Sequence, residues 1–187
     1  MNLDKINEIK KKLSDECIFQ YEGMIPKIHP SVFLAPGSKI IGNVELSERS
    51  SVWYNTVIRG DVHYIKIGRF TNIQDCSMLH VTNNKFPLNI GNNITVGHSV
   101  TLHGCTINDE CLIGMGAIVL DGAVVNKHSI VAAGAVVLQS FEVPEGKVIA
   151  GVPGKIIRDV TKDEIKEMEN SAKRYYNYAK KTFNSFI

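Results

Sequence analysis

Among the six histidines of this 187-residue chain, three are spaced as if for shared chemistry. His80 follows Leu79 and His103 follows Leu102, twenty-three residues further on, while His98 precedes His103 by five. A single imidazole can act as a general base. Several imidazoles gathered at one point repel when protonated, but in the neutral form they ligate a metal at about 2.0–2.1 Å. Whether these three meet depends on the elements that carry them.

Those elements follow a period of six. Apolar residues recur at Ile28, Leu34, Ile40, Leu46, Val52 and Ile58, then at Ile67, Ile73 and Leu79. A third frame holds Ile90, Val96 and Leu102, and a fourth holds Ile107, Ile113, Val119, Val125, Val131 and Val137. The following residue is often small, as in Leu34-Ala35, Ile67-Gly68, Ile90-Gly91, Val96-Gly97 and Ile113-Gly114. Neither a helix nor a long alternating strand has this period. Short strands that each turn one aliphatic side chain inward, joined by tight corners, do have it. The pattern resembles the hexapeptide-repeat proteins, in which three hexads close a triangular coil of eighteen residues. The resemblance implies an all-β, left-handed parallel β-helix whose coils stack by parallel pairing at roughly 4.8 Å.

On an eighteen-residue coil, His103 stacks over His80 if the five surplus residues within 81–89 loop out. His98 then belongs to another face and does not reach that pair within its own chain. In a threefold assembly the neighbouring subunit brings it there, so the spacing predicts a metal site shared across a subunit boundary. Asp75 lies twenty-three residues before His98 and is expected beneath it. Arg59 lies twenty-one before His80, one coil plus a three-residue slip, and so falls in that histidine's column. Arg59 and Asp75 are expected to face each other across the boundary as an ion pair.

Around the repeat the chain divides into residues 1–20, an N-terminal helical segment; 21–160, the β-helix; and 161–187, a C-terminal helix packed on the prism. Leu3, Ile6, Ile9 and Leu13 mark an amphipathic helix over 3–13. Thr161-Lys162-Asp163-Glu164 reads as a capping box, followed by Ile165, Met168, Ala172, Tyr175, Tyr176, Ala179 and Phe183 at helical spacing. The run Ala150-Gly151-Val152-Pro153-Gly154-Lys155 reads as the turn that ends the prism. Trp53 is read as an outward packing residue, Cys105 and Cys111 as small core residues, and His29 and His128 as surface side chains without a pattern. Twenty-one Lys and Arg against nineteen Asp and Glu, with Lys10-Lys11-Lys12 as the densest basic run, argue against a nucleic-acid partner. No apolar run approaches the roughly 20 residues that span a bilayer. The charged N-terminus does not read as a secretory signal, and the four cysteines show no CxxC pairing. Together these place the chain in the cytoplasm, with no membrane partner.

The motifs Ile58-Arg59-Gly60-Asp61, Thr71-Asn72-Ile73-Gln74-Asp75, Leu79-His80, Gly97-His98 and Leu102-His103-Gly104-Cys105 resemble, in order, those of the γ-class carbonic anhydrases. That resemblance covers residues 24–160. It implies that His80, His98 and His103 bind zinc, with iron or cobalt as alternatives, in a homotrimer. It also implies that Arg59, Asp61 and Asp75 hold the trimer boundary, that Gln74 hydrogen-bonds the metal-bound solvent, and that Tyr175 lines the pocket. The implied reaction is reversible hydration of CO2 to bicarbonate, using a water whose pKa the metal brings towards about 7. The chain departs from the family's active pattern at Val62, where that pattern has glutamate, and at 81–89, which contains no carboxylate or histidine to shuttle protons. His63 is the one nearby stand-in. Two other readings share the prism: an acyltransferase using acetyl-CoA or another acyl-CoA, and a metal-loaded scaffold subunit without fast turnover.

Overall fold

The computed structural model describes residues 8–9, 11–12 and 15–186. The helix expected over 3–13 therefore lies largely outside the described residues. From Ile18 onward the chain forms the left-handed parallel β-helix of about seven coils that the period of six implies. Each coil contributes one residue to each of three inward columns. One column stacks Leu34, Val52, Ile73, Val96, Ile113, Val131 and Ile149 through consecutive parallel pairings. The next stacks Ile18, Ile40, Ile58, Leu79, Leu102, Val119 and Val137. The third stacks Ile28, Leu46, Ile67, Ile90, Ile107, Val125 and Val143.

The strands are short because each must turn a corner after two or three residues, and the corners place backbone in the left-handed region. Asn55, Asn93 and Gly116 occupy such positions at φ 58°, 56° and 68°, where those residue types are least strained. Arg49, Phe70 and Cys76 take the same conformation at φ 57°, 54° and 60°. Most residues flanking the column positions are hydrogen-bonded, and no buried side-chain N or O among the described residues lacks a partner. Asn72, for instance, donates to the carbonyl of Ile94 and to Thr95 Oγ1, and accepts from Gln74 Nε2.

Four irregularities interrupt the eighteen-residue coil. The first is a four-residue surplus between Ile18 and Ile28, where Ile18 pairs with Ile40 twenty-two residues on and Tyr21 bridges Met24. Between Gly42↔Gly60 and Val44↔Ile65 the longer strand, Val57–Ile67, bulges by three residues at 61–64. The five-residue surplus sits in 81–87, between the strands Met78–His80 and Leu88–Ile90, and is closed by a Thr82–Phe86 bridge. From Leu102 to Ile107 the frame is one residue short, and the pairing offset there falls to seventeen.

The prism ends in an antiparallel hairpin, Lys147–Ala150 with Lys155–Asp159, around the expected turn. The helix Lys162–Ser185 then runs back along the outside of the face that carries the Leu34–Ile149 column. Met168 packs with Ile130 and Val148 near the last coils, and Ala179 with Phe33, Ala35 and Trp53 near the first. Trp53 is thus outward from the prism but covered by the helix, 9 % exposed and edge-on to Phe33 and Tyr175. Cys105 and Cys111 are buried in the core as read, and burial pushes the Cys111 thiol up to about 12. His128 departs from its reading as a surface residue without a pattern. It stacks one coil above Glu110, its Nε2 2.6 Å from Glu110 Oε2, because both sit at the same corner of successive coils.

The helix start carries the expected capping box. Thr161 Oγ1 accepts from the Glu164 N–H, and Glu164 accepts from the Thr161 N–H. Arg158 also donates to both Glu164 oxygens, and it leads, with the capping amide, in pulling the Glu164 carboxyl down to about 2. A carboxyl held below its unfolded value stabilises the fold above that value and loses the contribution as pH falls through the folded one. Unfolding by urea should therefore show a larger loss of stability between about pH 5 and pH 2 for the unsubstituted protein than for Glu164→Gln. Parallel pH curves for the two would show that the cap carries no such charge-dependent contribution.

Candidate metal centre

The expected stacking of His80 and His103 is present. The two residues are paired in register on adjacent coils, and His80 Nδ1 lies 3.0 Å from His103 Nε2. Each ring's other nitrogen meets a carboxylate: His80 Nε2 lies 3.0 Å from Asp61 Oδ1, and His103 Nδ1 lies 2.7 Å from Asp121 Oδ1. A carboxylate only accepts at neutral pH, so those outer nitrogens carry the protons. With both rings neutral, two lone pairs face each other across the 3.0 Å gap, an arrangement that a cation between them would satisfy. Two nitrogens bound to a tetrahedral ion stand about 3.3 Å apart, so a small opening of this pair accommodates one.

The electrostatics favour a neutral ring at His80. Burial lowers the His80 pKa, the hydrogen bond to Asp61 opposes it, and the positive charge of Arg59 lowers it further. For Asp61, burial works upward but is outweighed by hydrogen bonds from Arg59 and His80, leaving the carboxyl below its usual range. Arg59 is one residue past Ile58, which pairs with Leu79, so it occupies the His80 column as expected. Within one chain its guanidinium is bonded to Asp61.

His98 sits elsewhere. It follows the strand Thr95–Val96 and lies at one edge of the face formed by Thr101–His103, with His103 at the other edge. Asp75 stacks beneath it as the count requires, Oδ2 2.8 Å from His98 Nδ1. Among the described residues of one chain, no three His, Cys, Asp or Glu side chains are arranged to hold a metal. Beside His98 is a recess of about 380 Å³ bordered by Trp53, Tyr54, Asp75, Tyr175 and Tyr178. A larger groove of about 610 Å³, lined by Ile28, Phe33, Tyr176 and Phe183, contains none of the expected site residues. Tyr175 therefore belongs with His98. Burial raises its pKa, as do the nearby Asp75 and Tyr178, while a hydrogen bond with Gln74 works the other way. Gln74 is buried at the same corner. His63 accepts from the Tyr64 amide and stacks edge-on against that ring.

Asp121 was not among the residues expected from sequence. The count that found Asp75 and Arg59 looks backward from a histidine; carried one coil forward from His103 it ends at Leu120-Asp121. The three candidate ligands thus have three separate aspartates: Asp61, Asp75 and Asp121. Such carboxylate–histidine pairs fix the tautomer and orientation of metal-bound imidazoles.

No protein-family model matches the chain. A Methanocaldococcus jannaschii protein named a probable carbonic anhydrase is 51% identical over 148 residues, covering 79% of this chain and 92% of its own. The Arabidopsis thaliana mitochondrial protein named gamma carbonic anhydrase 2 is 46% identical over 159 residues. This chain spans only 57% of that relative's length. Among solved structures, a Bacillus cereus chain described as a candidate acetyltransferase superposes with a TM-score of 0.87 at 39% identity, over 90% of this chain and 97% of the other.

Gly104 follows His103 at φ +51°, and a Cβ there would stand 2.2 Å from Asp121 Oδ1 and 2.7 Å from Phe86 Cβ. Gly116 has φ +68° but nothing within 4 Å of such a Cβ. Gly116→Ala should therefore cost about 1 kcal/mol from backbone strain alone, measured by chemical denaturation, and Gly104→Ala clearly more. Equal losses would show that the corner beside Asp121 yields freely.

Proposed function

The chain belongs to the γ-class carbonic anhydrase family, and from that premise we propose that it catalyses the metal-dependent, reversible hydration of CO2 to bicarbonate. The observation that carries this reading is the arrangement of His80 and His103, two ring nitrogens converging to 3.0 Å with each outer nitrogen held by its own aspartate. His98, held the same way by Asp75, is the third ligand, supplied by a neighbouring chain. Support for that sharing comes from position. His98 and His103 occupy opposite edges of one prism face, so a threefold assembly with that face inward sets one chain's His98 edge against the next chain's His80–His103 edge.

Zinc fits the donor set of three neutral imidazoles with one position open, and iron or cobalt are the alternatives. Bound there, the cation supplies the Lewis acidity that activates water for attack on CO2. The chain's own groups do the rest. Gln74, with Tyr175 beside it, orients the attacking solvent and the product by hydrogen bonding. Arg59 and Asp61 hold the boundary and keep His80 oriented, with Arg59 facing Asp75 of the next chain. With Val62 and a loop lacking carboxylates in place of the family's acidic groups, proton release falls to solvent or His63, so turnover is slow. We place the protein in the cytoplasm, in keeping with its four unpaired cysteines. No described helix is long and apolar enough to cross a membrane.

The likeness to the Bacillus cereus chain favours a second reading, acyl transfer from an acyl-CoA. That reading needs one basic histidine and leaves the paired, carboxylate-held imidazoles unexplained.

Elemental analysis, with CO2 hydration assayed before and after anaerobic metal exchange, tests the proposal. About one metal per chain is expected from a site at each boundary of a threefold ring, together with metal-dependent hydration. Metal without hydration would leave a scaffold subunit, and no metal with a thermal shift by acyl-CoA would favour the transferase. Mixing His98→Ala chains with His80→Ala/His103→Ala chains should restore part of the metal content through mixed trimers. No restoration would overturn shared ligation.

A further inference from the structure

The aspartate absent from the expected site is itself held by a loop. Asp121 Oδ1 accepts from His103 Nδ1 at 2.7 Å, and its Oδ2 accepts from Thr82 Oγ1 at 2.9 Å. Thr82 belongs to the surplus segment 81–87, which folds on itself through Thr82 N–H to the Phe86 carbonyl, 3.1 Å, and Phe86 N–H to the Thr82 carbonyl, 3.2 Å. Two further contacts seat that segment. The Asn84 N–H donates to the Val62 carbonyl at 3.2 Å, and Phe86 lies so close that a Cβ at Gly104 would stand 2.7 Å from its Cβ and one at Gly122 2.9 Å from its ring.

We propose that Asp121 and Thr82 are positioning residues for His103, Asp121 fixing the Nδ1–H tautomer that leaves Nε2 as the ligand atom, and Thr82 making that placement depend on the folded 81–87 loop. The inference rests on the reading of His80, His98 and His103 as the metal set. The chemistry is direct. An imidazole that donates from Nδ1 to a carboxylate must present a lone pair at Nε2, the atom 3.0 Å from His80 Nδ1. A carboxylate with one oxygen on the ring and the other on a fixed hydroxyl cannot rotate away from the ring without losing a bond. The loop thereby replaces the absent acidic segment with a structural role, setting affinity for the metal instead of carrying protons.

The test measures two things on the full-length protein. Zinc dissociation constants come from competition with a chromogenic chelator, and the His103 tautomer comes from ¹⁵N shifts of the imidazole ring in metal-free protein. Asp121→Ala should weaken zinc about 10–100-fold and move His103 from the Nδ1–H form towards Nε2–H. Thr82→Val should weaken zinc about two- to tenfold, and Thr82→Ser, which keeps the hydroxyl, should restore it. Because the Thr82 pair alters no charge, it keeps the proposal testable should Asp121→Ala fail to fold. Zinc affinity within twofold for both Asp121→Ala and Thr82→Val, with the tautomer unchanged, would overturn the proposal. In that event His103→Ala separates the causes. Lost zinc binding in His103→Ala leaves the metal reading standing without the positioning role, and unaltered binding removes both.

Discussion

In a parallel stack each residue meets its counterpart one coil away, and this register governs everything else in the molecule. The three inward columns run from the first coil to the last as unbroken aliphatic stacks. No coil could bury its Val and Ile without the coils on either side, which is the usual dependence in repeat folds. A shift of one residue would turn a column outward. The columns therefore fix which polar residues share an edge, and that is how His80 and His103 come to face each other although they are twenty-three residues apart.

The repeat is irregular at four places, and three of them lie beside a candidate site residue. The bulge at 61–64 places Asp61 against His80. The 81–87 insertion delivers Thr82 to Asp121. The one-residue deficit after Leu102 puts Gly104 at a left-handed corner with room for the Asp121 carboxylate. Departures from a regular ladder commonly re-aim side chains in this way, and these three each bring an acidic oxygen to an imidazole or hold one there.

Much of this was legible in the sequence. The period of six, the column assignments, the pairing of His80 with His103 and the stacking of Asp75 beneath His98 all follow from counting, because a parallel ladder converts sequence distance into spatial distance. The capping box at Thr161 and the helical stripe after it were equally local. The Asp61–His80 contact, the Thr82–Asp121 bond and the ion pair of His128 with Glu110 were not. They depend on how a bulge or corner turns a side chain, and a register count says which coil a residue is on without saying where its side chain points.

The sequence alone thus determined most of the columns, since the period of six marks the aliphatic residue that turns inward in each hexad from Ile28 to Val137. Tertiary structure decided the orientation of the imidazoles. A ring's hydrogen-bonding nitrogen is set by the carboxylate that reaches it, and Asp61 and Asp121 reach theirs only because a bulge and a neighbouring coil bring them within 3.0 Å and 2.7 Å. The burial that disfavours charge on His80 likewise exists only once the coils are stacked, because it comes from residues distant along the chain.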